Sequence, residues 1–147
     1  MNQPLPGGDI RGLAQRLLAY EAAILNRSED AAPVVIRVTE KLRASLARLA
    51  GAAGFRALLA RAVTLAKMHA ADTCGIDVIQ VMPNGSLEGL NALPNDGDAA
   101  AVGLLLIAQL LELLVAFIGE DLVLRLLSDA WPTLSLVDAG VQHETET

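Results

Sequence analysis

The sequence predicts an all-α fold, a single-domain bundle of about five helices with a short β-hairpin or strand inserted in residues 76–90. Its 147 residues suffice for one domain with a core. Apolar residues make up 53% of the chain and aromatic residues only 3%, so the core must consist of Leu, Ala, Val and Ile. Apolar residues also recur at helical spacing. We expect residues 9–132 to form the bundle, between a flexible leader, 1–8, and a flexible acidic tail, 133–147.

The first predicted helix covers residues 10–26, because five apolar residues there form one stripe: Ile10, Leu13, Leu17, Tyr20 and Ile24. Asp9 is expected to cap it, since a carboxylate accepts hydrogen bonds from free first-turn amides. The segment "NRSED" at 26–30 ends this helix, and Ser28, Glu29 or Asp30 can begin the next.

Two further helices are predicted over residues 33–50 and 53–71, separated by a tight corner at "AGAAG", 50–54. Pro33 is tolerated in the first turn. On the polar face of the first of these helices, Arg37, Lys41 and Arg48 lie within about 40° of one another on a helical wheel. We call these three residues the basic stripe, and it is a candidate surface for binding a protein partner.

Residues 72–97 interrupt the helices. "IDVIQV" is rich in β-branched residues and "PNG" favours a turn, which predicts either a hairpin of 77–82 against 86–90 or a structured loop with one short strand. An insertion this long in a small bundle is either functional or mobile.

The stretch "VGLLLIAQLLELLVAFIG" at 102–119 is almost continuously apolar. It predicts a helix over 97–118, capped by Asp96 or Asp98 and placed at the centre of the bundle. A last helix follows in "GEDLVLRLLSDAW" and ends before Pro132.

The same stretch is nearly long enough to span a bilayer, but its polar residues favour a soluble core. Its flanks are acidic, and an aromatic belt is missing. Asp98, Gln109, Glu112 and Glu120 fall on one stripe about 80° wide, as in a nearly enclosed bundle helix. We therefore expect no stable membrane span.

Nearly the whole circumference of this helix requires burial, while charged residues, at 19%, are below the usual quarter. These observations favour a homo-oligomer, most simply a dimer. The residues expected to form the core or the subunit contact are Leu106, Leu110, Leu113, Leu114 and Phe117.

The net charge of −6 argues against non-specific binding to nucleic acid, and the basic stripe lacks interleaved aromatic residues. Residues 37–67 nevertheless hold seven basic residues and one acidic residue. This basic region either meets an anionic partner or faces the protein's own acidic parts.

No secretory signal is recognisable, so a cytoplasmic protein is expected, and the excess of arginine over lysine is typical of a GC-rich bacterial genome.

Candidate chemistry is sparse. Glu21 lies within an apolar helix face, so it is a ligand or acid/base group, a carboxylate paired with Arg16, Arg43, Arg61 or Arg125, or a residue at a helix end that emerges into solvent. His69 is a possible ligand or shuttle, although one hydrogen bond at the end of the core explains it more simply. Cys74 follows a helix end, which disfavours a reactive thiolate, and His143 lies in the tail. We expect neither a metal nor a cofactor.

The sequence favours a non-catalytic function, without excluding an enzyme: a small helical protein–protein interaction or regulatory module that associates with itself. The alternative is a small-ligand-binding protein or enzyme with a pocket between the bundle and residues 72–97, using Glu21 or His69. A peripheral membrane protein that exposes residues 102–118 is a third reading.

Overall fold

The computed structural model describes residues 7–25, 31–70, 72, 76–93 and 95–132, and the all-α prediction is confirmed. The elements in chain order are α1 (Gly7–Leu25), α2 (Ala31–His69), β1 (Gln80–Val81), β2 (Leu87–Glu88), α3 (Asp96–Ile118) and α4 (Glu120–Ala130). Most of the predicted leader, the "NRSED" segment, Cys74 and the predicted tail lie outside the described residues. Because α1 already begins at Gly7, Asp9 lies inside the helix rather than before its first residue, where a capping residue lies.

The described residues form four helices rather than five, because the second and third predicted helices are joined in α2. The only interruption inside α2 is Gly51, with φ 81° and ψ 163°. Glycine adopts this positive φ without the steric penalty that a Cβ brings. The corner predicted over 50–54 is therefore one residue, and the helix continues on both sides of it.

The inserted segment forms the short antiparallel hairpin that was one of two predicted structures. Gln80 pairs with Glu88 and Val81 with Leu87. In the turn, the Gly85 amide donates to the Met82 carbonyl at 2.8 Å, and the Ser86 amide donates to the Asn84 side chain at 3.0 Å. A turn of 3₁₀-helix precedes the hairpin at Ile76–Val78 and another follows it at Leu90–Ala92.

Two contacts fix α3 alongside the first segment of α2. Asn95, and not Asp96 or Asp98 as expected, caps α3 by accepting a hydrogen bond from the Gly97 amide at 2.8 Å. Asp96 instead accepts from the Ala31 amide at 2.9 Å and so caps α2. Further along, Gly103 lies so close to Val35 that a Cβ would collide with its side chain. The two helices therefore run parallel from a common starting point.

As predicted, α3 is the central helix, packed against α1, α2 and α4. Its innermost residues are fully buried: Leu106, Ile107, Leu110 and Leu111. The predicted polar stripe lies at the surface, because Glu112 is exposed and Asp98, Gln109 and Glu120 are half-buried. By length and composition alone, α2 and α3 could each cross a membrane, a criterion that core helices of soluble proteins also meet.

Candidate functional site: a buried carboxylate between three helices

Glu21 is the most unusual side chain in the described part of the molecule, a fully buried carboxylate near the end of α1. Its Oε1 accepts a hydrogen bond from Arg37 Nε at 2.7 Å. Its Oε2 accepts from Trp131 Nε1 at 2.6 Å and lies 2.6 Å from Lys41 Nζ. Because Arg37 and Lys41 lie on α2 and Trp131 directly follows α4, one carboxylate joins three helices. We call these four residues the Glu21 clamp.

The clamp places its cations at the protein surface and its acceptor inside. The side chains of Arg37 and Lys41 are 45% and 30% exposed, while Trp131 is buried like Glu21. Lys41 Nζ also lies 5.3 Å from the centroid of the Trp131 ring, within the range of a cation–π contact. The indole thus provides Glu21 with a donor and Lys41 with an aromatic face.

Two opposing effects act on the pKa of Glu21. Burial raises this pKa, because it disfavours the charged form. Hydrogen bonds from Lys41, Trp131 and Arg37, together with the charge of Lys41, lower it, and they outweigh the burial. The net result is a pKa below the ordinary value of 4.5, so Glu21 is ionised at neutral pH.

This geometry suits a structural contact better than proton transfer. Both oxygens of Glu21 are engaged by donors, and the lowered pKa leaves no proton on the carboxylate near pH 7. A general acid or base at neutral pH requires a pKa near 7 and access to a reacting group. Glu21 has neither property, although it has the pairing that a buried charge requires.

A shallow groove of about 480 Å³ lies on the outer side of the clamp. It is lined by the first turns of α2 and by one residue of the inserted segment: Ala32, Pro33, Ile36, Arg37, Glu40 and Asn91. Arg37 therefore contacts Glu21 on one side and the groove on the other. The groove lies between the bundle and the 72–97 segment, where the sequence placed the pocket of the alternative function.

The structure divides the basic stripe. Arg37 and Lys41 are held by Glu21, whereas Arg48 is exposed and separate from the clamp. The cations that bind Glu21 are not those expected from the sequence. Arg43, one of the expected partners, instead pairs with Glu40, three residues earlier on α2.

The other candidate residues lie in different places. His69 is exposed, and its Nδ1 lies 2.8 Å from the Leu65 carbonyl oxygen, so it neither borders the groove nor contacts Glu21. Leu106, Leu110 and Leu114 are buried, Leu113 is half-buried and Phe117 is 60% exposed. Phe117 is therefore outside the core of this chain. Within the described ranges, His, Cys, Asp and Glu form no group of three suited to a metal ion.

The sequence identified Glu21 but not the clamp. One available signal was distance from the α1–α2 connection, since Glu21 precedes the end of α1 by four residues and Arg37 follows the start of α2 by six. Helices joined by a short connection lie antiparallel, so such residues face each other. The other signal was Trp131, because a buried indole N–H requires an acceptor.

Comparison of the chain with models of protein families, with curated proteins and with solved structures finds no match.

Proposed function

We propose that this chain is a small helical protein-interaction module that associates with itself. The observation that carries the proposal is the incomplete covering of α3. Of residues 101–118, eight are buried, six are half-buried and four are exposed, and Phe117 is the largest apolar side chain among the exposed ones, at 60%. The exposed and half-buried apolar side chains of α3 gain free energy when a partner removes them from water.

A membrane could also cover α3, but the polar residues of this helix argue for a protein partner. Gln109 and Glu112 lie within the stretch, and Glu112 at bilayer depth costs a few kcal/mol. Asp96 and Asp98 precede the stretch, and Glu120 and Asp121 follow it. Cytoplasmic flanks of membrane spans are typically basic, and these flanks are acidic.

Sedimentation velocity of the full chain over a range of concentrations tests the proposal. We expect the mass to rise from 15.4 kDa towards twice that value as the concentration increases. A mass of 15.4 kDa at every concentration would rule out self-association. Flotation with lipid vesicles, performed in parallel, would favour the membrane reading if the protein floats and remains monomeric.

The groove supports a second candidate, binding of a small molecule with an apolar body and an anionic group. Its volume falls within the usual range of ligand pockets, and Arg37 provides a cation beside Pro33 and Ile36. Thermal-shift screening with small aliphatic and aromatic carboxylates tests this candidate. Asn91→Trp, which introduces a large side chain into the groove from a residue outside the clamp, should abolish any shift.

A further inference from the structure

The end of the bundle where α2 bends has an unusual surface. The register of α2 and α3 shows which residues lie there. Leu49 and Phe117 each follow the Val35–Gly103 contact by fourteen residues. At 1.5 Å per residue, both lie about 21 Å beyond that contact. Parallel helices with this register end together, so Leu49 and Phe117 lie at the same end of the bundle.

This end is apolar at its centre. Phe117 is 60% exposed and Leu49 is 49% exposed, although both belong to the residue types most often buried. The bend between them exposes small residues, which leave the backbone accessible to close approach. We call this surface the kink end, and it consists of Leu49, Gly51, Ala52, Ala53 and Phe117.

Charged residues of both signs lie within a few positions along the chain of the residues of the kink end. Arg48 and Arg56 lie on either side of the bend in α2, while Glu120 and Asp121 form the first turn of α4. In the part of the chain that the structure describes, none of the four makes an ion pair. Their charges sum to zero, so they provide no net attraction to an anionic membrane surface.

We infer that the kink end binds the kink end of a second copy of this chain. A two-fold contact brings the same surface of the two copies together. That surface must therefore be complementary to itself: a cation of one copy needs an anion within the same surface of the other copy. The kink end meets this condition. The exposed apolar side chains of one copy pack against those of the other, and the arginines of one copy pair with Glu120 and Asp121 of the other. This inference rests on the proposed self-association and specifies its surface.

Two apolar-to-charged variants test the position of the contact. Phe117→Asp and Leu49→Asp should each weaken dimerisation about thirtyfold or more, as expected for a central apolar anchor. Met68→Asp is the matched control, because Met68 is even more exposed, at 68%, but lies seventeen residues from the bend. Circular dichroism checks that each variant keeps its helices.

Charge reversal tests the two-fold arrangement itself. The acidic variant, Arg48→Glu with Arg56→Glu, and the basic variant, Glu120→Arg with Asp121→Arg, should each dimerise about tenfold more weakly than the wild type. An equimolar mixture of the two variants should restore dimers, since each surface now complements the other. A variant that had merely misfolded would not be rescued by mixing.

The outcomes are distinct. A wild-type chain that is monomeric at all concentrations overturns both the proposed self-association and this inference. A wild-type dimer that survives Phe117→Asp and Leu49→Asp, or that only Met68→Asp dissociates, overturns the kink end and leaves self-association in place. Reversal variants that each lose dimers and do not recover them on mixing overturn the two-fold pairing.

Discussion

The Glu21 clamp buries a charged group, whereas the kink end exposes large apolar side chains. Only about 15 Å of helix separates Lys41 in the first region from Gly51 in the second. At the clamp, an ionised carboxylate is buried and every group around it is paired within the chain. At the kink end, large apolar side chains are exposed, and among the described residues the neighbouring charges have no ion-pair partner. The contrast supports a structural role for the clamp and the proposed role of the kink end in association.

The largest effect should come from removing both cations of the clamp. Arg37→Met with Lys41→Met leaves Glu21 buried with only the indole as a partner, so we expect a loss of about 3–5 kcal/mol in the free energy of unfolding. Urea denaturation of dilute protein, followed by circular dichroism, measures this loss. The matched control is Arg48→Met with Arg56→Met on the same helix, and exposed substitutions of this kind usually change stability by less than about 0.5 kcal/mol. Equal losses in the two variants would contradict the comparison.

This contrast also changes what charge reversal should do to the basic stripe. If Arg37, Lys41 and Arg48 formed one partner-binding stripe, reversing all three charges would weaken partner binding without unfolding the protein. The structure predicts that reversal at Arg37 and Lys41 unfolds it, because two new acidic groups would face a buried carboxylate. Arg48 is the residue of the stripe whose charge reversal should leave the fold intact, because it lies outside the clamp.

The next effect concerns the indole. Trp131→Phe removes a hydrogen bond to a charged group, and we expect a loss of about 1.5–3 kcal/mol. A double-mutant cycle with Glu21→Gln separates this bond from the change in packing. If Trp131→Phe costs as much in the Glu21→Gln background as in the wild type, the indole stabilises the protein through packing alone.

The helix register that places the two regions can be tested at Gly103. Gly103→Ala puts a Cβ into the Val35 side chain, and such overpacking costs about 1–3 kcal/mol. Gly12→Ala is the control, because a Cβ at this helical position has nothing within 4 Å. It should instead raise stability by about 0.5–1 kcal/mol. Thermal unfolding of both variants measures whether each substitution lowers or raises stability. A stabilising Gly103→Ala would argue against the close approach of Gly103 to Val35.

The smallest effect is the acid dependence of the clamp. Because the folded-state pKa of Glu21 lies below 4.5, its contribution is complete above about pH 4.5 and is lost as the pH falls through the lower folded value. The stability difference between the wild type and Glu21→Gln should therefore shrink on acidification, by at most about 1.4 kcal/mol per pH unit. A difference that grows towards low pH would mean that the pKa of Glu21 is raised.

The sequence predicted the helices well, because their apolar residues recur at a period that only a helix can place on one face. It placed a corner at 50–54 but did not reduce it to Gly51, since several small residues there permit the same turn. It attributed the α3 cap to Asp96, whose own contact is with Ala31, a residue 65 positions earlier. Local patterns contain no information about such a distant partner.

The site was predicted in part for the same reason. Glu21 was recognisable as a carboxylate on an apolar face, although a helix end emerging into solvent was an alternative to its burial. Its partners depend on how α1, α2 and α4 pack, and Trp131 lies 110 residues away. The wheel placed Arg37 and Lys41 on a polar face, and these side chains are indeed partly exposed. However, long cationic side chains also extend along a surface to reach an acceptor inside, so a helical wheel does not show which exposed cations pair with a buried group.

Amide hydrogen exchange of the wild-type chain in dilute and concentrated solution tests the contrast between the two regions most directly. We predict that amides at the kink end, around Ala52, Ala53 and Phe117, become more slowly exchanging as the concentration rises. Amides around Glu21, Lys41 and Trp131 should be equally protected in both solutions. Exchange at the kink end that does not depend on concentration, or protection that rises equally in both regions, would contradict the account.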